Sequence, residues 1–213
     1  MKLLASTLLH AGAAVALAKA IGFWNKQQPD QWTKDEIEQL ITDSPWAKPV
    51  VAENRAYSPQ SSLGGRRGRL SSGGRNTNPE ATTAKFPGYV RWLSAKPMMI
   101  AMKLNFPPGF EGHYVLGVSG MPVISGHSEG EGGDSYDTLK ELTFLAVKGQ
   151  QSAQPGIIQP DPDDTSTVLF GFLHQFLDLS AAKVAEFKTT NGPFEIKAKF
   201  DLKQMKYRDE LAV

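Results

Sequence analysis

The chain has 213 residues, 40% of them hydrophobic and 21% charged, and no cysteine. That length and apolar share suit one domain with a real core and exclude wholesale disorder, while the missing cysteine excludes disulfides, thiol catalysis, thiolate zinc sites and iron–sulfur ligation. With 23 basic and 22 acidic residues the formal net charge is +1, so the chain as a whole has no general affinity for polyanions.

Residues 1–20 read as a secretory signal peptide. Lys2 gives a short positive start, Leu3 to Leu17 is apolar apart from Ser6, Thr7 and His10, and Ala18-Lys19-Ala20 is a small-x-small cleavage site. The run falls short of the roughly 20 apolar residues of a membrane span. The expectation is a secreted or periplasmic protein that begins near Ile21. Charge in the remainder is uneven: four basic and six acidic groups over 21–57, five and one over 58–85, twelve and fifteen over 86–213.

Residues 21–57 read as a helical arm. Thr33 and Glu36 form a capping box, with Trp32 and Ile37 in the positions of a hydrophobic staple. Ile37, Leu40 and Ile41 follow helical spacing, Asp35 and Glu36 suit the positive end of the helix dipole, and Pro45 stops the helix. The pattern predicts a helix over 34–43. Such a short helix does not hold alone in water, so Trp32, Ile37 and Leu40 are docking residues, either against the protein's own sheet or against a partner.

Residues 58–85 read as a flexible linker: up to position 84 they hold five serines, five glycines and four arginines. Arg66, Arg67 and Arg69 suit carboxylate or phosphate and make an anionic envelope component one candidate partner. Nucleic acid is disfavoured, because no aromatic side chain is interleaved for stacking.

Residues 86–213 read as a β-rich domain of five or six strands. FPGYVRWL predicts a strand near 88–94 with Val90 and Trp92 on one face. KPMMIAMKL predicts a helical turn led by Pro97. Further strands are predicted near 113–119 and 141–148, and the apolar run STVLFGFLH predicts one near 166–174 buried on both faces. Asn191-Gly192 is a strong hairpin signal, and in the strand after it Phe194, Ile196, Ala198 and Phe200 alternate with Glu195, Lys197 and Lys199. The fold class expected is mainly β with minor α: an antiparallel β-sandwich or open barrel preceded by a short helical arm.

The run Trp32-Thr33-x-x-Glu36-Ile37, then Ser44-Pro45-Trp46-Ala47-Lys48, resembles a pattern of exported bacterial proteins, as do Tyr89-Val90-Arg91-Trp92 and the closing FEIKAKFDLKQMKY. The resemblance implies export and an arm-plus-β layout. That group has no established activity, so the resemblance transfers no site.

No HExxH, P-loop, dinucleotide fingerprint or EF-hand loop is present, and no cofactor or metal is expected. The densest polar chemistry is Gly126 to Asp137, where His127, Glu129, Glu131, Asp134 and Asp137 fall in a stretch with four glycines. It reads as a solvated strand connection whose acids match no calcium-loop order. The function expected is a non-catalytic, exported β-rich binding or envelope-associated protein. The alternatives are an assembly protein that uses the arm helix and a secreted hydrolase with a dispersed site near His127.

Overall fold

The structure, a computed structural model, describes residues 22–54, 85–122 and 132–213, with the backbone alone for 132–135. The signal-like segment, the Arg-rich linker and residues 123–131 lie outside the described residues.

Two single 3₁₀ turns, Phe23–Asn25 and Pro29–Gln31, lead into α1 (Lys34–Thr42). The capping box forms as expected. Thr33 Oγ1 accepts from the Glu36 N–H at 3.3 Å, and Glu36 Oε2 accepts from the Thr33 N–H at 2.9 Å. Leu40 is fully buried (0% exposed) and Trp32 nearly so (7%), while Ile37 packs against the core from a half-buried position. Arg91 donates from Nε to the Ile41 carbonyl at 2.7 Å and so satisfies one free carbonyl at the end of α1.

The segment read as an arm continues into β1 (Ala47–Asn54), which lies inside the sheet. The other elements are β2 (Phe86–Trp92), α2 (Lys96–Met102), β3 (His113–Ser119), α3 (Gly132–Glu141), β4 (Phe144–Val147), β5 (Ile157–Pro160), β6 (Thr167–Leu173), β7 (Val184–Asn191), β8 (Phe194–Asp201), β9 (Lys206–Tyr207) and β10 (Glu210–Leu211). Eight strands form one curled, half-barrel sheet in the order β4-β7-β8-β1-β2-β3-β6-β5, and β9 and β10 form a separate hairpin. Every pairing is antiparallel. The chain is therefore mainly antiparallel β with few helices, in the open-barrel form.

Three local expectations change. First, the solvated connection over 126–137 ends by Gly132, where α3 begins. Tyr136 and Leu139, three residues apart, turn toward the core, and the leading Gly132-Gly133 hides this helix from propensity. Second, the strand expected at 141–148 shrinks to 144–147, because Glu141 belongs to α3 and Thr143 Oγ1 turns back to the Leu139 carbonyl at 2.6 Å. Third, the hairpin turn sits one residue later than the Asn-Gly signal. Asn191 pairs with Phe194, so Gly192 and Pro193 make the turn. Gly192 takes φ 55° and proline a ring-fixed negative φ, the sign pattern of a type II′ turn.

Inside the curl, Trp92 meets Phe200 edge-on at 5.2 Å and Phe170 meets Phe187 at 5.5 Å. The outer face of β3 and β6 is covered as well. The Leu93 side chain lies against Gly117, and the Phe110 ring lies over Gly171. That cover explains why β6 is buried on both faces. Close approach also fixes Gly88, where a Cβ would collide with the Ser119 carbonyl.

The N-terminal segment packs on the C-terminal hairpin. Trp32 stands edge-on to Tyr207 at 6.5 Å, Trp24 to Trp46 at 5.2 Å, and Trp46 Nε1 donates to the Ala212 carbonyl at 2.6 Å. The β9–β10 turn is strained: Arg208 and Asp209 have φ 53° and 67°. Left-handed non-glycine residues cost on the order of 1–3 kcal/mol each.

Candidate functional site at the β1 seam

The site sits where the two halves of the sheet meet. β1 pairs with β2 along six residues, from Ala47↔Arg91 to Ala52↔Phe86. On its other side it pairs with β8 only at Glu53↔Glu195 and Asn54↔Phe194. Pro49 contributes to this asymmetry, since it has no N–H to give to a ladder. Beyond the two pairs a slot of about 290 Å³ opens, lined by Pro49, Val50, Val51, Glu53, Glu195 and Lys197.

Across β1 lies a second, mainly apolar groove of about 480 Å³, lined by Pro49, Val50, Val51, Pro87, Gly88 and Tyr89. The alternation of β1 points Ala52 inward and Pro49, Val51 and Glu53 outward. Val51 therefore stands on the ridge between the two depressions, and 43% of it is exposed. An exposed branched aliphatic flanked by prolines, with Tyr89 beside it, is an apolar strip on an otherwise charged face.

The charges come from the neighbouring strands. Glu195 of β8 is nearly buried, yet it bonds Lys188 at 2.9 Å through Oε2 and Lys197 through Oε1. Lys199 pairs with Glu186 at 3.1 Å. Burial works to raise the Glu195 pKa, but the hydrogen bonds from Lys197 and Lys188 outweigh it and hold the carboxyl below its ordinary value. A carboxylate held ionised by two ammonium groups is a poor proton donor and a weak base. It fixes the positions of both lysines, and Lys197 stands with it on the slot wall. On the far side Arg91 lies over the Tyr89 ring at 4.6 Å, a cation–π contact that fixes that ring.

The residues singled out from sequence fall elsewhere. His127, Glu129, Glu131, Arg66, Arg67 and Arg69 lie outside the described residues, as does the Asp134 side chain. Asp137 is exposed on α3. Trp32, Ile37 and Leu40 pack within the chain. The two described histidines make local contacts: His113 Nδ1 lies 2.9 Å from the Glu111 carbonyl, and the His174 ring lies 4.1 Å from that of Tyr114, tilted by 49°. Among the described residues no cluster of three or more histidine or acidic side chains is arranged to hold a metal ion, and no helix is long and apolar enough to cross a membrane.

Sequence reasoning missed Pro49, Val51, Pro87 and Tyr89. A signal was present: in KPVVAEN, Val51 shares its period-2 face with Glu53, so it is an apolar residue on a wet face. The run has to be recognised as a strand before that signal can be read. Compared with protein-family models, with curated proteins and with solved structures, the chain matches none of them.

Proposed function

We propose that the chain is an exported, non-catalytic binding protein whose outer β1 face docks on a protein partner. The observation that carries this reading is the exposed Val51 ridge between two grooves, in a stretch of sheet where, among the described residues, no side chain lies over Val51 as Leu93 and Phe110 lie over β3 and β6. An apolar centre of Pro49, Val51, Pro87 and Tyr89 with paired opposite charges along its β7–β8 side has the composition of a protein–protein contact. The paired charges of Glu186, Lys188, Glu195, Lys197 and Lys199 set register and partner choice more than affinity. Export is supported by the Lys2, Leu3–Leu17 and Ala18-Lys19-Ala20 pattern.

Two experiments test the reading. N-terminal sequencing of the protein recovered outside the cytoplasm should begin near Ile21, and an intact Met1 on a cytoplasmic protein contradicts export. A photo-crosslinking amino acid at position 51 should give a discrete adduct with one protein. The same group at Lys203, an exposed residue on the turn after β8, should not. Equal labelling from both positions contradicts the site.

A further inference from the structure

We propose a second binding site, independent of the β1 face: the cleft beside the β9–β10 hairpin takes a small organic oxyanion, a carboxylate or phosphate group carried on an apolar body. The cleft has a volume of about 370 Å³, and its lining includes Lys96, Tyr207, Arg208, Leu211, Ala212 and Val213.

Two cations share one aromatic ring there. Lys96 Nζ lies 5.9 Å and the Arg208 guanidinium carbon 5.2 Å from the Tyr207 ring centroid. Ring quadrupoles hold cations at about this range, and the two cations bring positive charge to this part of the cleft. Among the described residues neither is paired with a carboxylate. Among the described residues the Arg208 guanidinium bonds only the neutral Gln28 side chain, Nη2 donating to Oε1 at 2.7 Å. An oxyanion in this cleft is drawn to both cations that line it and accepts charge-assisted bonds from them. Leu211, Ala212 and Val213 provide the apolar wall. Glu210 carries the one acidic side chain on the lining, and it disfavours ligands that carry a second negative charge far from the first.

The backbone gives a second, separate argument. A two-residue turn with positive φ at both positions is the place for Asn-Gly, yet Arg208 and Asp209 occupy it. The N-terminal segment enforces the strain. Asn25 Oδ1 accepts from the Arg208 N–H at 2.7 Å, Asn25 Nδ2 donates to the Lys206 carbonyl at 3.3 Å, and Gln28 holds the guanidinium. Strain that the surroundings over-determine, at a residue that presents charge to a cleft, is a mark of a ligand site.

The test is a titration of the isotope-labelled chain followed by amide chemical shifts, with phenyl phosphate, benzoate, inorganic phosphate and benzyl alcohol as probes. Saturable shifts at Lys96, Tyr207 and Leu211 with phenyl phosphate or benzoate support the site, and whichever of the two binds tighter names the head group. Lys96→Gln and Arg208→Asn should each weaken that binding about tenfold, the loss of one charge-assisted bond. Arg208→Asn should not lower the melting temperature, because asparagine tolerates the left-handed region. Benzyl alcohol binding as tightly as the anions overturns the proposal, and so does inorganic phosphate matching phenyl phosphate. Unchanged affinity in both folded variants, or no saturable shifts with any probe, also overturns it.

Discussion

At the scale of single residues, Glu195 shows how a nearly buried charge persists on a sheet face. Burial alone favours its neutral form, and Lys188 and Lys197 reverse that preference. A folded-state pKa depressed below the unfolded value means that the carboxylate stabilises the fold above the unfolded pKa. That contribution is lost as pH falls through the folded value. Glu195→Gln should therefore cost about 1 kcal/mol at pH 7. The difference from the parent should shrink once pH falls below the ordinary carboxyl value of 4.5. Urea unfolding of both proteins at several pH values measures this, and a difference that does not change with pH would contradict the two-lysine mechanism.

At the scale of elements, α1 is the clearest case of a short helix held by docking. Its cap is legible from Thr33 and Glu36, and its buried stripe from Ile37, Leu40 and Ile41. Leu40→Ala removes a fully buried side chain and should cost about 2–5 kcal/mol, read as a fall in melting temperature. Thr33→Ala loses only the cap and should cost about 1 kcal/mol. If Leu40→Ala melts like the parent, the helix does not dock as described. The β7–β8 hairpin was equally legible, because Gly192 and a strict alternation on β8 both encode local geometry. β1 was not legible. Pro49 argues against an interior strand, and the consecutive Val50 and Val51 break the alternation, so only pairing with β2 and β8 reveals it. The candidate site was hidden for the same reason: its outward residues come from strands far apart in sequence and meet only through the pairing of β1 with β2 and β8.

At the scale of the whole molecule, the two sequence extremes of the described chain meet. Trp32 contacts Tyr207, Asn25 bonds the β9–β10 hairpin, Trp46 bonds the Ala212 carbonyl, and β1 carries the N-terminal segment into the sheet between β8 and β2. Trp24, Trp32 and Trp46 precede β1, whereas Trp92 ends β2. Arm and sheet should therefore unfold together, with tryptophan fluorescence and far-ultraviolet circular dichroism giving coincident melts. An earlier fluorescence transition would mean that the N-terminal segment detaches by itself. The same arrangement supports β1 from both sides, with Val51 exposed on its outer face. The decisive measurement is the affinity of the purified chain for the protein captured at position 51, compared between Val51→Asp and Lys203→Glu. With a buried charge set against an apolar centre, Val51→Asp should bind at least about tenfold more weakly, while Lys203→Glu should bind like the parent and both should keep the parent's melting temperature. Full affinity in a folded Val51→Asp variant would contradict the assignment of the β1 face as the binding surface.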